Sequence, residues 1–195
     1  MQAEQMTGLV LAGGQGRRMG GRDKGLEMFA DVPLIEHALH RLRPYVNEIL
    51  INANRSHDEY SGRGARVVAD IEGGYQGPLM GIWTGLTLAR TPWVVVVPCD
   101  SPVLPDDLVP RLAAGLGNHD IAMAHDGERA HPVVALIRRS LVDDLGAALA
   151  EGERKIDRWY ARHALCEVDF SDCPMGFANL NTEQDKARLE RQWTQ

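Results

Sequence analysis

Trp93-Val-Val-Val-Val-Pro98 constrains the fold of this chain more than any other stretch. Successive strand residues point to opposite faces of a sheet, so four consecutive valines put apolar side chains on both. Such a run suits a central parallel strand covered above and below by helices. The first half of the chain agrees. Leu9–Ala12, Glu48–Asn52 and Arg66–Asp70 read as further strands. Between them Leu34, Ile35, Ala38, Leu39 and Leu42, and again Leu79, Ile82, Trp83 and Leu86, recur at helical spacing. Pro33 stands where a first helical turn can begin and Pro44 stops that helix. Strand–helix alternation of this kind predicts a mostly parallel sheet with helices on both faces.

The second half adds a helix from about Pro105 to Leu116, then strands at Ile121–Ala124 and Pro132–Ile137. They are joined through His125-Asp-Gly-Glu-Arg129, where Asp126-Gly127 is a hairpin signal, which predicts a mixed edge to the sheet. Helices near 139–150 and 155–163, a strand at 165–169 and a final helix from about Thr182 complete the reading, with Thr182 and Asp185 as its capping pair. With no internal repeat, low-complexity tract or linker, the expectation is an α/β chain forming one domain over 1–195 with a core of 6–190. The expected architecture is a three-layer α/β/α, Rossmann-like fold with a mostly parallel, mixed sheet.

At those positions where the expected strands end, polar residues collect. Leu9–Ala12 runs into Gly13, Gly14 and Gly16, and five glycines with four cations (Arg17, Arg18, Arg22, Lys24) fall within twelve residues. Bare backbone lets an anion approach N–H groups closely, so this reads as a phosphate-cradling loop. It is neither of two familiar glycine loops: no Lys-Ser or Lys-Thr pair supplies a P-loop, and Met19 stands where a dinucleotide fingerprint needs its third glycine. The next strands end in Asn52, Asp70 and Asp100. Asn and Asp at strand ends are commonly turn residues. Four polar endings in a row, at the end of an open α/β sheet where ligands bind, point instead to one crevice. Its chemistry suits a nucleotide and a divalent ion: Asp100 for magnesium, Lys24 as a point charge for phosphate, Asn52 and Asp70 for a base or ribose.

Composition narrows the partners. A net charge of −6 disfavours nonspecific binding to nucleic acid or an anionic membrane, and the 17–24 cations are a local exception suited to a small anion. The longest unbroken apolar runs are far short of a membrane span. The N-terminus shows no basic region followed by an apolar stretch, so no secretory signal and a cytoplasmic location are expected. Cys99, Cys166 and Cys173 form no Cys-x-x-Cys pair, and Cys99 reads as a packed thiol. His125 and His131, flanking the hairpin turn, read as exposed turn residues, and no structural metal is expected.

The segment Leu11-Ala-Gly-Gly-Gln-Gly-Arg-Arg-Met-Gly-Gly-Arg-Asp-Lys24 resembles the signature of the molybdenum cofactor guanylyltransferases. So do Asn52-Ala-Asn-Arg55, Gly77-Pro-Leu-Met-Gly81, Pro98-Cys-Asp-Ser-Pro102, His125–Arg129 with His131-Pro132, Gly152-Glu-Arg154, Asp169-Phe-Ser-Asp172 and Asn179-Leu-Asn-Thr182. The resemblance covers 6–190. It implies a nucleotidyltransferase fold and an enzyme that joins GMP from GTP to the terminal phosphate of molybdenum-bearing molybdopterin, releasing pyrophosphate. By that resemblance Leu11, Ala12, Gly13, Lys24, Asn52, Asp70 and Asp100 would bind GTP, and Asp100 would hold Mg²⁺. Arg18, Gly21, Gly77, Gly81, Arg154 or Lys155, Asn179 and Asn181 would line the pterin side, with Asp100, Lys24 and Arg18 central to catalysis. The family often carries two arginines after Gly-Glu; here Arg154-Lys155 stands there, and lysine lacks the bidentate fork. Molybdoenzymes or their chaperones would receive the product, and a monomer is expected. Two alternatives stand beside this reading: a cytidylyltransferase of the same fold, against which the Leu11-Ala-Gly-Gly14 loop argues, and a noncatalytic GTP-binding or cofactor-carrier module.

Overall fold

The run Trp93–Pro98 forms a strand inside a seven-stranded sheet. The computed structural model describes residues 2–12, 23–74 and 76–193. In chain order the main strands are β1 (Met6–Leu11), β4 (Glu48–Asn52), β5 (Arg66–Val68), β6 (Trp93–Pro98), β7 (Ile121–His125), β8 (Ala130–Arg138) and β9 (Leu165–Asp169), and across the sheet they lie in the order β5-β4-β1-β6-β8-β7-β9. A small antiparallel pair, β2 (Met28–Phe29) and β3 (Val32–Pro33), stands apart from them. The helices are α1 (Leu34–Leu42), α2 (His57–Tyr60), α3 (Pro78–Leu88), α4 (Leu108–Gly115), α5 (Val142–Ala150), α6 (Ile156–Tyr160) and α7 (Glu183–Trp193).

Both faces of the sheet are covered, which explains the unbroken valine run. Val95 and Val97 of β6, with Val10 and Ile51, pack under Leu39 and Leu42 of α1 and Leu108 and Leu112 of α4. Val94 and Val96, with Leu9 and Leu50, meet Leu79, Ile82 and Leu86 of α3, Leu145 of α5 and Trp159 of α6. Burying one such side chain contributes about 1.5–3 kcal/mol, so neither face could be left to solvent. A third, small cluster of Phe29, Leu34, Leu180 and Leu189 ties the β2–β3 pair to α7.

The strand expected at Pro132–Ile137 does not make a mixed edge. β8 runs antiparallel to both β6 and β7 and lies between them, inside the sheet. β7 is therefore parallel to β6 and continues into the parallel partner β9. Two other boundaries move. The strand expected at Arg66–Asp70 stops at Val68, because the Asp70 N–H donates to the Asn54 side chain (2.9 Å). The helix expected from Pro105 begins at Leu108, after a turn closed by the Leu108 N–H on Pro105 O (3.1 Å). The cap of α7 is as expected: Asp185 N–H donates to Thr182 Oγ1 (3.1 Å) and Thr182 N–H to Asp185 Oδ2 (3.0 Å). Among the described residues no helix is long and apolar enough to cross a membrane.

Candidate active site

The parallel ladders draw the strand ends into one row. Leu11 is in register with Asn52 on one side and Pro98 on the other, and Asn52 with Val68. Backbone bonds continue past the ladders: Ala12 N–H donates to Asn52 O (2.9 Å), Cys99 N–H to Leu11 O (3.1 Å) and Ala53 N–H to Val68 O (2.9 Å). Leu11, Ala12, Asn52, Asp70 and Asp100 therefore gather along the carboxyl edge of the sheet, where open α/β sheets bind ligands.

Asp70 is held by two amides. Asn52 Nδ2 donates to its Oδ1 (2.9 Å) and Asn54 Nδ2 to its Oδ2 (2.7 Å). Because a carboxylate only accepts, this fixes which way both amides face. The Asn52 side chain lies against the start of α3. A Cβ on Gly81 would fall 2.5 Å from Asn52 Oδ1 and 2.8 Å from Leu11 Cδ2, so only glycine lets the helix approach this closely. Gly81 thus sits beside Asn52, the nucleotide side of the expected site.

Lys24 joins a second group. Its Nζ donates to Asp100 Oδ2 (2.7 Å) and to Asn181 Oδ1 (2.8 Å). The Lys24 and Asp100 side chains remain 23% and 20% exposed, so a ligand can reach the pair. The 179–181 segment is pinned to the same strand end: Leu180 N–H donates to Asp100 O (2.9 Å) and the Ser101 hydroxyl to Asn179 Oδ1 (2.7 Å). Lys24 itself opens a short 3₁₀ turn capped by Asp23, whose Oδ1 accepts from Gly25 N–H (3.3 Å) and from the Tyr60 hydroxyl (2.5 Å). Burial, reinforced by the bond to Asp23, pushes the Tyr60 phenol far above its ordinary value, which keeps it a donor. Burial, with Asp100 adjacent, also pushes the Cys99 thiol up, in keeping with a packed thiol.

The hairpin between β7 and β8 opens on the same edge, since β7 and β9 end in register at His125 and Asp169. His131 is not an exposed turn residue. It is 9% exposed, Nε2 lies 2.7 Å from Asp126 Oδ2, and its ring stacks on Phe177. Sequence could not show this, because Phe177 arrives from a distant segment. His125 does serve the turn, its Nδ1 accepting from Gly127 N–H (3.0 Å).

The family model of the MobA-like NTP transferase domain matches residues 8–166. A molybdenum cofactor guanylyltransferase of Shewanella pealeana is 48% identical over 96% of this chain and 94% of its own length. One from Shewanella amazonensis is 47% identical over 98% of each. The chain belongs to the molybdenum cofactor guanylyltransferase family. Its fold is that of a molybdopterin-guanine dinucleotide biosynthesis protein A from Archaeoglobus fulgidus, with a TM-score of 0.80 at 24% identity over 97% of this chain and 99% of that one. It also matches a 2-C-methyl-D-erythritol 4-phosphate cytidylyltransferase from Thermus thermophilus, with a TM-score of 0.73 at 16% identity over 96% and 98%.

In this guanylyltransferase the remaining expected residues divide into two sets. Gly77, with φ +87°, precedes α3 as its N-cap residue. Arg154 spans toward it: one guanidinium nitrogen donates to Leu149 O (2.8 Å) at the end of α5 and to Glu153 O (2.6 Å), the other to Gln76 Oε1 (2.6 Å). Lys155 precedes α6 and is exposed. Gly13, Arg18 and Gly21 lie outside the described residues. Asn54 and Ser101 bond to residues of the expected site, and Tyr60 reaches it through Asp23 beside Lys24, though none of them was singled out for the site from sequence. The Asn52-Ala-Asn54 spacing is a signal for the first; neither Tyr60 nor Ser101 carries one.

Proposed function

We propose that this chain transfers the GMP moiety of GTP to the terminal phosphate of molybdopterin carrying molybdenum, forming the guanine dinucleotide cofactor and pyrophosphate. The observation that carries the reading is the Lys24–Asp100 pair, reachable from solvent at the sheet edge that also holds Asn52 and Asp70. A phosphate monoester oxygen attacks the α-phosphorus of GTP, and the bond from that phosphorus to the β-bridging oxygen breaks. The nucleophile, with a second pKa of about 6, is largely ionised at neutral pH and needs no general base. What remains is to bring two polyanions together and to stabilise charge on the α-phosphate and the leaving pyrophosphate.

In this reading the backbone of Leu11, Ala12 and Gly13 approaches GTP, Asn52 and Asp70 take its nucleoside, and Lys24 turns its ammonium to phosphate. Arg18, Gly21, Gly77, Asn179 and Asn181 line the pterin side, and Gly81, which the resemblance puts with them, packs against Asn52 and so adjoins the nucleotide. Arg154, already reaching toward Gly77, fits the pterin contact by position, while the Lys155 side chain is exposed. The donor set suits Mg²⁺: Asp100 supplies a hard carboxylate oxygen that already faces a cation. Among the described residues no group of three or more His, Cys, Asp or Glu could cage a metal, so substrate phosphate oxygens would complete the coordination. When bound, Mg²⁺ would neutralise phosphate charge beside Lys24. We place the whole activity in one domain over 1–195, acting as a cytoplasmic monomer that passes its product to molybdoenzymes or their chaperones.

Titration calorimetry with GTP and with CTP, each with Mg²⁺ and then with chelator, tests the reading. Magnesium-dependent binding of GTP with little response to CTP supports it, followed by pyrophosphate release that requires molybdopterin. Preference for CTP overturns the base assignment, and GTP binding without turnover favours the carrier alternative.

A further inference from the structure

The Asp126–His131 pair is buried at the carboxyl edge of the sheet, and the chemistry proposed above makes no use of it. Asp126 is firmly built in. Its Oδ1 accepts from Glu128 N–H (2.9 Å) and Arg129 N–H (2.8 Å), while Oδ2 faces His131 Nε2 at 2.7 Å. A carboxylate placed on one ring nitrogen fixes the tautomer and the plane of an imidazole. That plane is laid on Phe177, with ring centroids 4.6 Å apart and 21° between planes. Phe177 also meets the edge of Phe170 at 5.3 Å.

Phe177 ends the 3₁₀ turn Pro174–Phe177, and the chain then runs directly into Asn179, Leu180 and Asn181. This segment is held at both ends, and between them Leu180 is buried against Phe29, Leu34 and Leu189. At its far end Asn179, Leu180 and Asn181 bond to Ser101, Asp100 and Lys24. At its base it rests on the His131–Phe177 stack. In the reading above Lys24 also meets phosphate, so its ammonium shares its three donors and holds Asn181 less exclusively. The Leu180 N–H on Asp100 O and the Ser101–Asn179 bond then remain, and together with them the base sets the angle at which the two asparagines are presented.

We infer that His131, oriented by Asp126, is a positioning residue for the phosphorylated second substrate, acting through Phe177 on the Asn179–Asn181 segment. The inference rests on the functional reading given above. His131 has no hydrogen bond to Lys24 or Asp100 among the described contacts, so its effect is on placement.

The test uses the full chain carrying His131→Ala or His131→Phe, with thermal unfolding measured alongside. Removing the ring is expected to raise KM for molybdenum-molybdopterin about tenfold, with GTP–Mg²⁺ affinity held within about twofold, a split that marks a lost contribution to one substrate alone. His131→Phe keeps a flat ring over Phe177 and leaves Asp126 its two backbone donors, so it should recover most of the loss. Should His131→Ala fail to fold, His131→Leu, which keeps apolar bulk but no flat ring, takes its place, with the same rise in KM expected. Equal weakening of both substrates, no rescue by phenylalanine, or unchanged kinetics would each overturn the positioning role. A wild-type protein inactive with GTP and molybdopterin overturns the functional reading itself, a separate result.

Discussion

The Lys24 ammonium lies 2.7 Å from Asp100 Oδ2, although 76 positions separate the two residues. The same nitrogen reaches Asn181 Oδ1, so one cation gathers the start, middle and end of the chain at the site. Replacing it with an uncharged chain of similar length, Lys24→Met, is expected to lower kcat/KM about 10²–10³-fold, as loss of a charge-stabilising group at a reacting centre does. Steady-state turnover of GTP with molybdopterin checks this, with circular dichroism to confirm folding. A loss of only a fewfold would remove Lys24 from the chemistry.

Asp100→Ala should separate binding from turnover. Its partners include the Leu180 N–H on its carbonyl, which the substitution leaves in place, so the segment stays docked. Only the carboxylate is lost. If that carboxylate acts on the transition state, turnover falls far more than GTP affinity does. Calorimetry beside kinetics tells the cases apart, and equal losses would deny it a catalytic role.

Gly81→Ala is a small change at a tight place. The added methyl would sit 2.5 Å from Asn52 Oδ1 and must push either Asn52 or α3 away. Overpacking of this kind costs about 1–3 kcal/mol. Moving Asn52 also frees Asp70 Oδ1, so GTP affinity should drop along with the denaturation midpoint. Wild-type affinity in this variant would show that the Asn52–Asp70 bond does not serve the nucleotide.

Acid should act through Asp126. Burial pushes its carboxyl up, but the Arg129 N–H, His131 and the Glu128 N–H outweigh that and hold it well below the usual carboxylate range. The folded value is thus lower than the unfolded one of about 3.9, so the stabilisation is present above that pH and is lost as pH falls through the folded value. Chemical denaturation of wild type and Asp126→Asn across pH 7 to pH 2 (roughly the span that brackets ordinary carboxylates) should show the difference between them shrinking from about pH 4 downward. A constant difference would mean the pair adds nothing that depends on ionisation.

Local pattern carried most of the fold. Glu48–Asn52, Trp93–Pro98 and Leu165–Asp169 form strands over the very residues whose apolar character marked them. Arg66–Asp70 was legible as a strand but not its end, because the Asp70 N–H goes to a side chain sixteen residues back, and propensity does not see such a bond. The place of β8 within the sheet was beyond reach for the same reason: a hairpin signal says which strands pair, not which third strand flanks them. At the site, Asn52, Asp70 and Asp100 announced themselves as polar endings after apolar runs. His131 did not, since its burial depends on Phe177 and Asp126 together.

β1 precedes both of its sheet neighbours, β4 and β6, along the chain. Until Trp93–Pro98 emerges, a nascent chain carries β1, with its apolar Leu9 and Val10, open along one edge, the kind of edge that recruits other chains. A protein truncated after Leu88 is expected to aggregate; if it stayed soluble and monomeric, that edge would be harmless. Asp100 follows β6 by two residues. Sealing the hazardous edge and delivering the carboxylate proposed to hold Mg²⁺ are therefore one event in biosynthesis, and a chain that has not finished folding has not yet assembled its candidate site.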